Sequence, residues 1–149
     1  MRRLSGVFVA CAVLLVPVLS GTAQAQDKFS FDGEIALWSV GIKPNETAAY
    51  ERVLAKLKDA LMKSAKPESK RMAAGWKVMK GIVNPQSGDV IYTHVIYPVV
   101  PGADYTITRI IYDVFTDPTE QKQVYDWYRG ALGANLGANV GRIVADFSR

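Results

Sequence analysis

The chain has 149 residues, with 18 lysine and arginine residues, 14 acidic residues, one histidine, one cysteine and a formal net charge of +4. A zinc site usually takes several of its ligands from histidine and cysteine, so these counts exclude an ordinary zinc site. The small positive excess does not favour nucleic acid as a partner, and the length suits one compact domain.

The first 25 residues are predicted to be a secretory signal peptide. Two arginines near the start precede an apolar run from Val7 to Leu19 and the small-residue cleavage pattern Ala23-Gln24-Ala25. The run is shorter than the roughly 20 residues of a membrane-spanning helix, and Pro17 interrupts it. We therefore expect a secreted or periplasmic protein that is cleaved after Ala25 and has no membrane span.

Removal of the signal peptide changes the chemistry available to the chain. It leaves 124 residues, lowers the net charge to +2 and removes Cys11, the single cysteine. A chain without a thiol has no disulfide, no cysteine nucleophile and no iron–sulfur cluster, so its stability must come from its hydrophobic core. The expected organisation is a flexible lead-in at residues 26–33 and one folded domain at residues 34–149.

A strand and a helix are predicted at the start of this domain. Residues 34–42 are rich in Ile, Leu, Val and Trp, and they are apolar on both sides of an extended chain, which indicates a strand covered on both faces. A helix is predicted over residues 46–65, because Tyr50, Val53, Leu57 and Leu61 recur at helical spacing.

A β-hairpin is predicted next. After a loop at residues 66–70, the β-rich segments 76–83 and 90–97 flank a turn sequence at residues 84–89. On the second segment, Tyr92, His94 and Ile96 share one side of the strand.

Two further helices are predicted. Residues 105–115 contain many β-branched residues, which favour a strand, but Ile107, Ile110 and Ile111 lie at helical spacing and a helix is preferred. Asp117 and Pro118 are typical of a helix start, with an N-cap and a proline at the first helical position.

A glycine repeat follows the second of these helices. Gly133, Gly137 and Gly141 are expected either to end that helix or to let it pack closely on another element. Residues 142–147 are predicted to form a final short strand.

This order of elements predicts an α+β fold of the ferredoxin-like, split βαβ type, with one antiparallel sheet and helices on one face. Leu37 or Trp38, together with Trp76, Tyr92 and Ile96, is expected to leave the other sheet face apolar. Because a monomer rarely exposes a large apolar patch, we expect a homodimer packed sheet to sheet.

The order and patterning of residues 34–147 resemble the dimeric α+β barrel superfamily, which includes antibiotic-biosynthesis-type monooxygenases and haem-handling enzymes. The resemblance implies a barrel formed by two copies. It transfers no catalytic residue, because the spacings of the superfamily's functional residues do not map onto this chain. A resemblance in fold does not define an activity.

The candidate site residues are Trp38, Trp76, Tyr92 and His94. The three aromatic residues either wall a ligand pocket or fill the core or the dimer interface. His94 is the single histidine, and it is either a hydrogen-bonded structural residue or an acid, base or haem-facing residue in a pocket. No metal site, cofactor or catalytic residue is predicted.

The function expected from these features is non-enzymatic. The chain is expected to be an exported protein that binds a small apolar or aromatic ligand at the sheet face or dimer interface. The alternative is a cofactor-independent oxygenase or a haem-linked enzyme of the same architecture.

Overall fold

The structure is a computed structural model and describes residues 28–147, so the predicted signal peptide lies outside the described residues. Four strands and four α-helices are present in this range. The strands are β1 (Ile35–Ile42), β2 (Trp76–Val83), β3 (Val90–Ile96) and β4 (Leu132–Gly141). The α-helices are α1 (Thr47–Lys63), α2 (Pro67–Gly75), α3 (Ile107–Val114) and α4 (Pro118–Ala131). The predicted α+β class is confirmed.

The four strands form one open antiparallel sheet in the order β2-β3-β1-β4. On β1 and β3 the buried residues alternate with more exposed ones, as expected when the two faces of a sheet differ in environment. Trp38 of β1 lies opposite His94 of β3, so the two side chains share a face. The helices pack on this face, where they and the strands form the hydrophobic core.

Two of the predicted helices form for the reasons seen in the sequence. The buried stripe of α1 contains Tyr50, Val53, Leu57 and Leu61. At the start of α4 the Asp117 carboxylate accepts a hydrogen bond from the Glu120 backbone N–H at 2.7 Å. This bond satisfies one of the free N–H groups of the first helical turn, so the predicted N-cap is confirmed.

The predicted loop at residues 66–70 is wrong, because α2 begins at Pro67 and Lys66 is its N-cap residue. No side chain caps this helix, so the usual Ser, Thr, Asp or Asn signal is missing. The remaining signal is Pro67 at the first helical position with Glu68 in the first turn. Burial of Met72 and Gly75 against the rest of the fold stabilises the helix, and this contact is not visible in the local sequence.

The glycine repeat is also not the end of a helix: residues 132–141 form β4 at the edge of the sheet. Glycine, alanine and asparagine disfavour strands, so pairing with β1 overrides local propensity here. Gly133 suits this position because a Cβ atom there would lie 2.5 Å from an Asp89 carboxylate oxygen. The predicted strand at residues 142–147 is wrong, since β4 ends at Gly141.

The described part of the predicted lead-in packs against the domain. Phe31 is buried in the core, and Phe29 packs against it. The Phe29 backbone N–H donates to Asp104 and Thr106, while the Phe29 carbonyl oxygen accepts from the Tyr105 N–H at 2.8 Å. From Lys28 onward the lead-in is therefore held by ring packing and backbone hydrogen bonds rather than extending freely.

Candidate functional site

A buried aromatic cluster surrounds His94 on the helix-covered face of the sheet. His94 has no exposed surface. Its ring stacks on Trp38 of the neighbouring strand, with 4.4 Å between ring centroids. Its two ring nitrogens contact residues from two other elements, Tyr50 of α1 and Trp76 of β2. His94 therefore joins three strands and a helix through polar and stacking contacts.

The hydrogen bonds fix the tautomer of this histidine. The Trp76 indole N–H is only a donor, so it donates to His94 Nδ1 at 2.9 Å. The neutral ring then carries its proton on Nε2, which donates to the Tyr50 hydroxyl oxygen at 2.7 Å. Both nitrogens of His94 are thus already used inside the protein.

The ionisation of the cluster is strongly suppressed. Burial lowers the pKa of His94 from its ordinary value of 6.5 to about 3. The Trp76 hydrogen bond acts in the same direction, because it requires an unprotonated Nδ1. Burial also raises the pKa of the Tyr50 hydroxyl far above its ordinary value. At neutral pH the cluster therefore holds neutral groups that are joined by hydrogen bonds.

The structure brings together three of the four candidate residues. Trp38 and Trp76 both contact the His94 ring. The Tyr92 ring instead packs edge-on against Tyr50, at 5.1 Å between centroids. Its hydroxyl is bonded to Glu51 and does not contact His94.

The expectation that Trp76, Tyr92 and Ile96 leave the uncovered sheet face apolar is wrong. All three lie on the helix-covered face, since Trp76 and Ile96 are register partners and Ile96 alternates with Tyr92 in β3. The uncovered face carries other side chains, including Leu37. The registers of β1 and β3 in the folded sheet decide which side chains share each face.

The Tyr92 hydroxyl is part of a polar contact at the protein surface. It donates to the Glu51 carboxylate at 2.6 Å, and the Lys80 ammonium donates to the same oxygen at 2.9 Å. These two hydrogen bonds lower the pKa of Glu51. The contact ties α1 to the β2–β3 hairpin and leaves Tyr92 with a structural role.

A cavity of about 290 Å³ lies beside Trp38, between the sheet, α3 and α4, and His94 does not line it. Its volume is close to the lower end of the range of small-molecule sites. Its walls combine aromatic and aliphatic side chains with a few polar groups: Phe29, Trp38, Val40, Thr106, Ile107, Thr108, Tyr128, Arg129, Leu132 and Asn135.

A bulge in β4 sets the polar side of this cavity. The β1–β4 register shifts between Trp38 and Val40, and Gly137 adopts a φ of 89°, which favours glycine. Asn135 Oδ1 accepts from the Gly137 N–H and from Trp38 Nε1, each at 3.1 Å. Within residues 28–147 its Nδ2 group has no protein partner, so it is available to a ligand. Bulges often aim side chains in this way beside binding sites.

Sequence reasoning missed Asn135 and Arg129 as cavity residues. The asparagine lies in the glycine repeat, which is expected to end a helix or to let it pack closely on another element, and Arg129 has the pattern of an ordinary exposed helix residue. The signal available in the sequence is an asparagine two residues before Gly137, because asparagine side chains often bond the backbone N–H two residues on in a local turn.

A second depression lies beside Trp76, between α1, α2 and the edge strand β2. It has a volume of about 400 Å³ and is lined mainly by leucine, alanine, valine and the Trp76 ring. Its charged lining residues are Lys58 and Lys77, and unlike the cavity at Trp38 its lining includes no asparagine, threonine or arginine.

Residues 28–147 contain no group of three or more His, Cys, Asp and Glu side chains arranged to hold a metal ion. Within the same range, no helix combines the length and the apolar character needed to cross a membrane.

Comparisons of the chain with protein-family models, with curated proteins and with solved structures found no match.

Proposed function

We propose that this chain is an exported binding protein that holds a small aromatic or apolar molecule in the cavity at Trp38. The observation that carries the proposal is the convergence on one cavity of three aromatic rings and an unused amide group. The rings belong to Phe29, Trp38 and Tyr128, and the amide belongs to Asn135. The exposed wall of this cavity combines apolar and polar surface in comparable shares. In a small-molecule site the apolar and aromatic side chains supply contact area, and the polar groups fix the orientation of the ligand.

The state of His94 supports binding over the alternative of an oxygenase or haem-linked enzyme. A general acid or base needs a pKa near the working pH and access to the reacting group. His94 is fully buried, both of its nitrogens are used by Trp76 and Tyr50, and its pKa is lowered to about 3. We therefore assign His94 the role of holding Trp38 and Trp76 in place.

The binding function predicts that a ligand stabilises the folded protein. A ligand that binds only the folded state at one hundred times its Kd raises the free energy of unfolding by about 2.7 kcal/mol. Thermal-shift measurements with neutral and charged one- and two-ring aromatic compounds should find such a ligand. Mass spectrometry of the exported protein should detect any ligand that is retained.

Filling the cavity tests where this ligand binds. Thr108 lines the cavity, so Thr108→Phe should remove the ligand-induced shift. The matched control is Thr119→Phe, at an exposed position of α4 outside the cavity, which should keep the shift. A full shift in the folded Thr108→Phe protein would contradict the cavity as the site.

We also propose that the domain is a ferredoxin-like protomer that dimerises through the uncovered sheet face. Ile35, Leu37, Ile91, Val95 and Met79 lie on this face, as their alternation and register with residues of the other strands indicate. Leu37 is 41% exposed and Met79 is 57% exposed. Burial of this surface against a second copy would gain about 25 cal/mol for each Å² of apolar area.

Dimerisation predicts twice the mature mass in sedimentation equilibrium at micromolar concentration. Leu37→Lys places a charge in the centre of the proposed interface and should yield a folded monomer. Tyr112→Lys replaces a more exposed aromatic residue on α3, away from the sheet, and should remain dimeric. A wild-type protein that stays monomeric over a concentration series would contradict the proposal.

Export is proposed from the amino-terminal sequence. Intact-mass analysis of protein from the exported fraction should give a chain that begins at Gln26. An exported species that retains Cys11 would contradict cleavage after Ala25.

A further inference from the structure

We infer that the cavity at Trp38 selects a planar aromatic carboxylate, with Arg129 as its counter-ion. This inference rests on the proposed binding function and narrows the class of ligand. Its starting point is the charge of the cavity: Arg129 lines it, and none of the described residues that line it is acidic. A site with an arginine and no carboxylate favours an anion.

Arg129 is available for this role. Within residues 28–147 it forms no ion pair with a carboxylate, whereas the neighbouring basic residue of the same helix, Lys122, is paired with Asp126. The positive charge of Arg129 also acts on the wall of the cavity. Burial raises the pKa of the Tyr128 hydroxyl, and the nearby Arg129 charge opposes that increase.

Two described acidic residues, Asp104 and Asp126, lie two positions before a residue of the cavity wall, and neither cancels this charge. Asp126 is paired with Lys122. Asp104 precedes Thr106 by two residues, and its carboxylate already accepts from Arg109 at 2.9 Å and from the Thr106 backbone N–H at 2.9 Å. A carboxylate that enters the cavity would therefore find the Arg129 guanidinium without a strong competing anion. The guanidinium presents paired donors that match the two oxygens of a carboxylate.

The aromatic rings that line the cavity indicate that the part of the ligand beyond its carboxylate is flat and aromatic. Phe29 contacts the Trp38 ring edge-on at 4.9 Å, and Tyr128 forms another wall. Flat aromatic surfaces pack well against such rings. The Asn135 Nδ2 group adds a neutral donor to the same cavity, which suits a carboxylate oxygen or a ring substituent with a lone pair.

The simpler role of Arg129 is to stabilise the end of α4, because a positive charge in the last helical turn interacts favourably with the helix dipole. That role changes stability but does not distinguish a charged ligand from a neutral one. A binding measurement with matched probes therefore separates the two roles.

The test compares 2-naphthoate with 2-naphthamide, which have nearly the same shape and differ in charge. Isothermal titration calorimetry on the mature protein at pH 7.5 should show tighter binding of 2-naphthoate by about tenfold or more. Arg129→Gln should remove this preference, while Lys122→Gln on the same helix should retain it.

The outcomes separate this inference from the proposed function. Equal binding of the two probes, with no effect of Arg129→Gln, would overturn the carboxylate preference and leave the aromatic cavity supported. Failure of the folded wild-type protein to bind either probe, or any other aromatic compound, would overturn the binding function and the carboxylate preference with it. A preference for 2-naphthoate that persists in Arg129→Gln would overturn the assignment of Arg129 alone.

Discussion

Replacing His94 with leucine is expected to lower the free energy of unfolding by about 2–5 kcal/mol. Leucine fills a similar volume but offers no acceptor to the Trp76 N–H and no donor to the Tyr50 hydroxyl. Each buried polar group that loses its partner costs about 1–3 kcal/mol. Urea denaturation at pH 7.5 measures the effect, since His94 is neutral there in both the folded and the unfolded chain.

Two further variants test the reason for this loss. His94→Gln keeps a side chain that donates and accepts hydrogen bonds, so it should cost only about 0.5–2 kcal/mol. Adding Trp76→Phe to His94→Leu removes the unpaired indole N–H and should recover part of the lost stability. Equal losses in His94→Leu and His94→Gln, with no recovery in the double variant, would show that the hydrogen bonds contribute little.

The second large effect expected is a loss of stability in mild acid. Above pH 6.5 His94 is neutral in the folded and unfolded chains and contributes no pH dependence. Below pH 6.5 the unfolded chain binds a proton that the folded chain does not accept until about pH 3, so stability falls across this window. The expected loss is about 2 kcal/mol at pH 5 and about 4–5 kcal/mol near pH 3.

Carboxylates also contribute to acid unfolding, so the measurement needs a variant in which only the histidine is absent. Urea denaturation of the wild type and of His94→Gln at pH 7.5, 6, 5 and 4 provides this comparison. The wild type should lose about 2 kcal/mol more than the variant between pH 7.5 and pH 5. If the free energy of unfolding changed equally with pH in the two proteins, the pKa of His94 would be the same in the folded and unfolded chains. That result would contradict the prediction.

Parts of the fold with strong local signals could be predicted from the sequence. The helical spacing of Tyr50, Val53 and Leu57 indicated α1, and Asp117 with Pro118 indicated the start of α4. Each signal comes from residues within a few positions of one another. The coarse α+β class and the antiparallel sheet followed from the order of such segments.

The errors occurred where distant contacts oppose or replace local propensity. Helix α2 has no side-chain cap and forms with Met72 buried in the core. Strand β4 is built from glycine, alanine and asparagine, and it is a strand because β1 supplies its hydrogen-bond partners. In both cases the stabilising neighbour is remote in the chain, so the local sequence contains little sign of it.

The candidate site also combines features that the sequence indicates with features that depend on contacts between distant parts of the chain. The sequence alone identified Trp38, Trp76, Tyr92 and His94 as an aromatic set on strands, with one histidine available for any imidazole chemistry. Only the tertiary structure decided that His94 lies in the core with both nitrogens bonded, and that Tyr92 points to Glu51. Only the tertiary structure placed Arg129 and Asn135 beside Trp38 in one cavity. The physical reason is that side-chain chemistry is a property of each residue, whereas burial, hydrogen-bond partners and pKa depend on strand register and on helices that pack from distant parts of the chain.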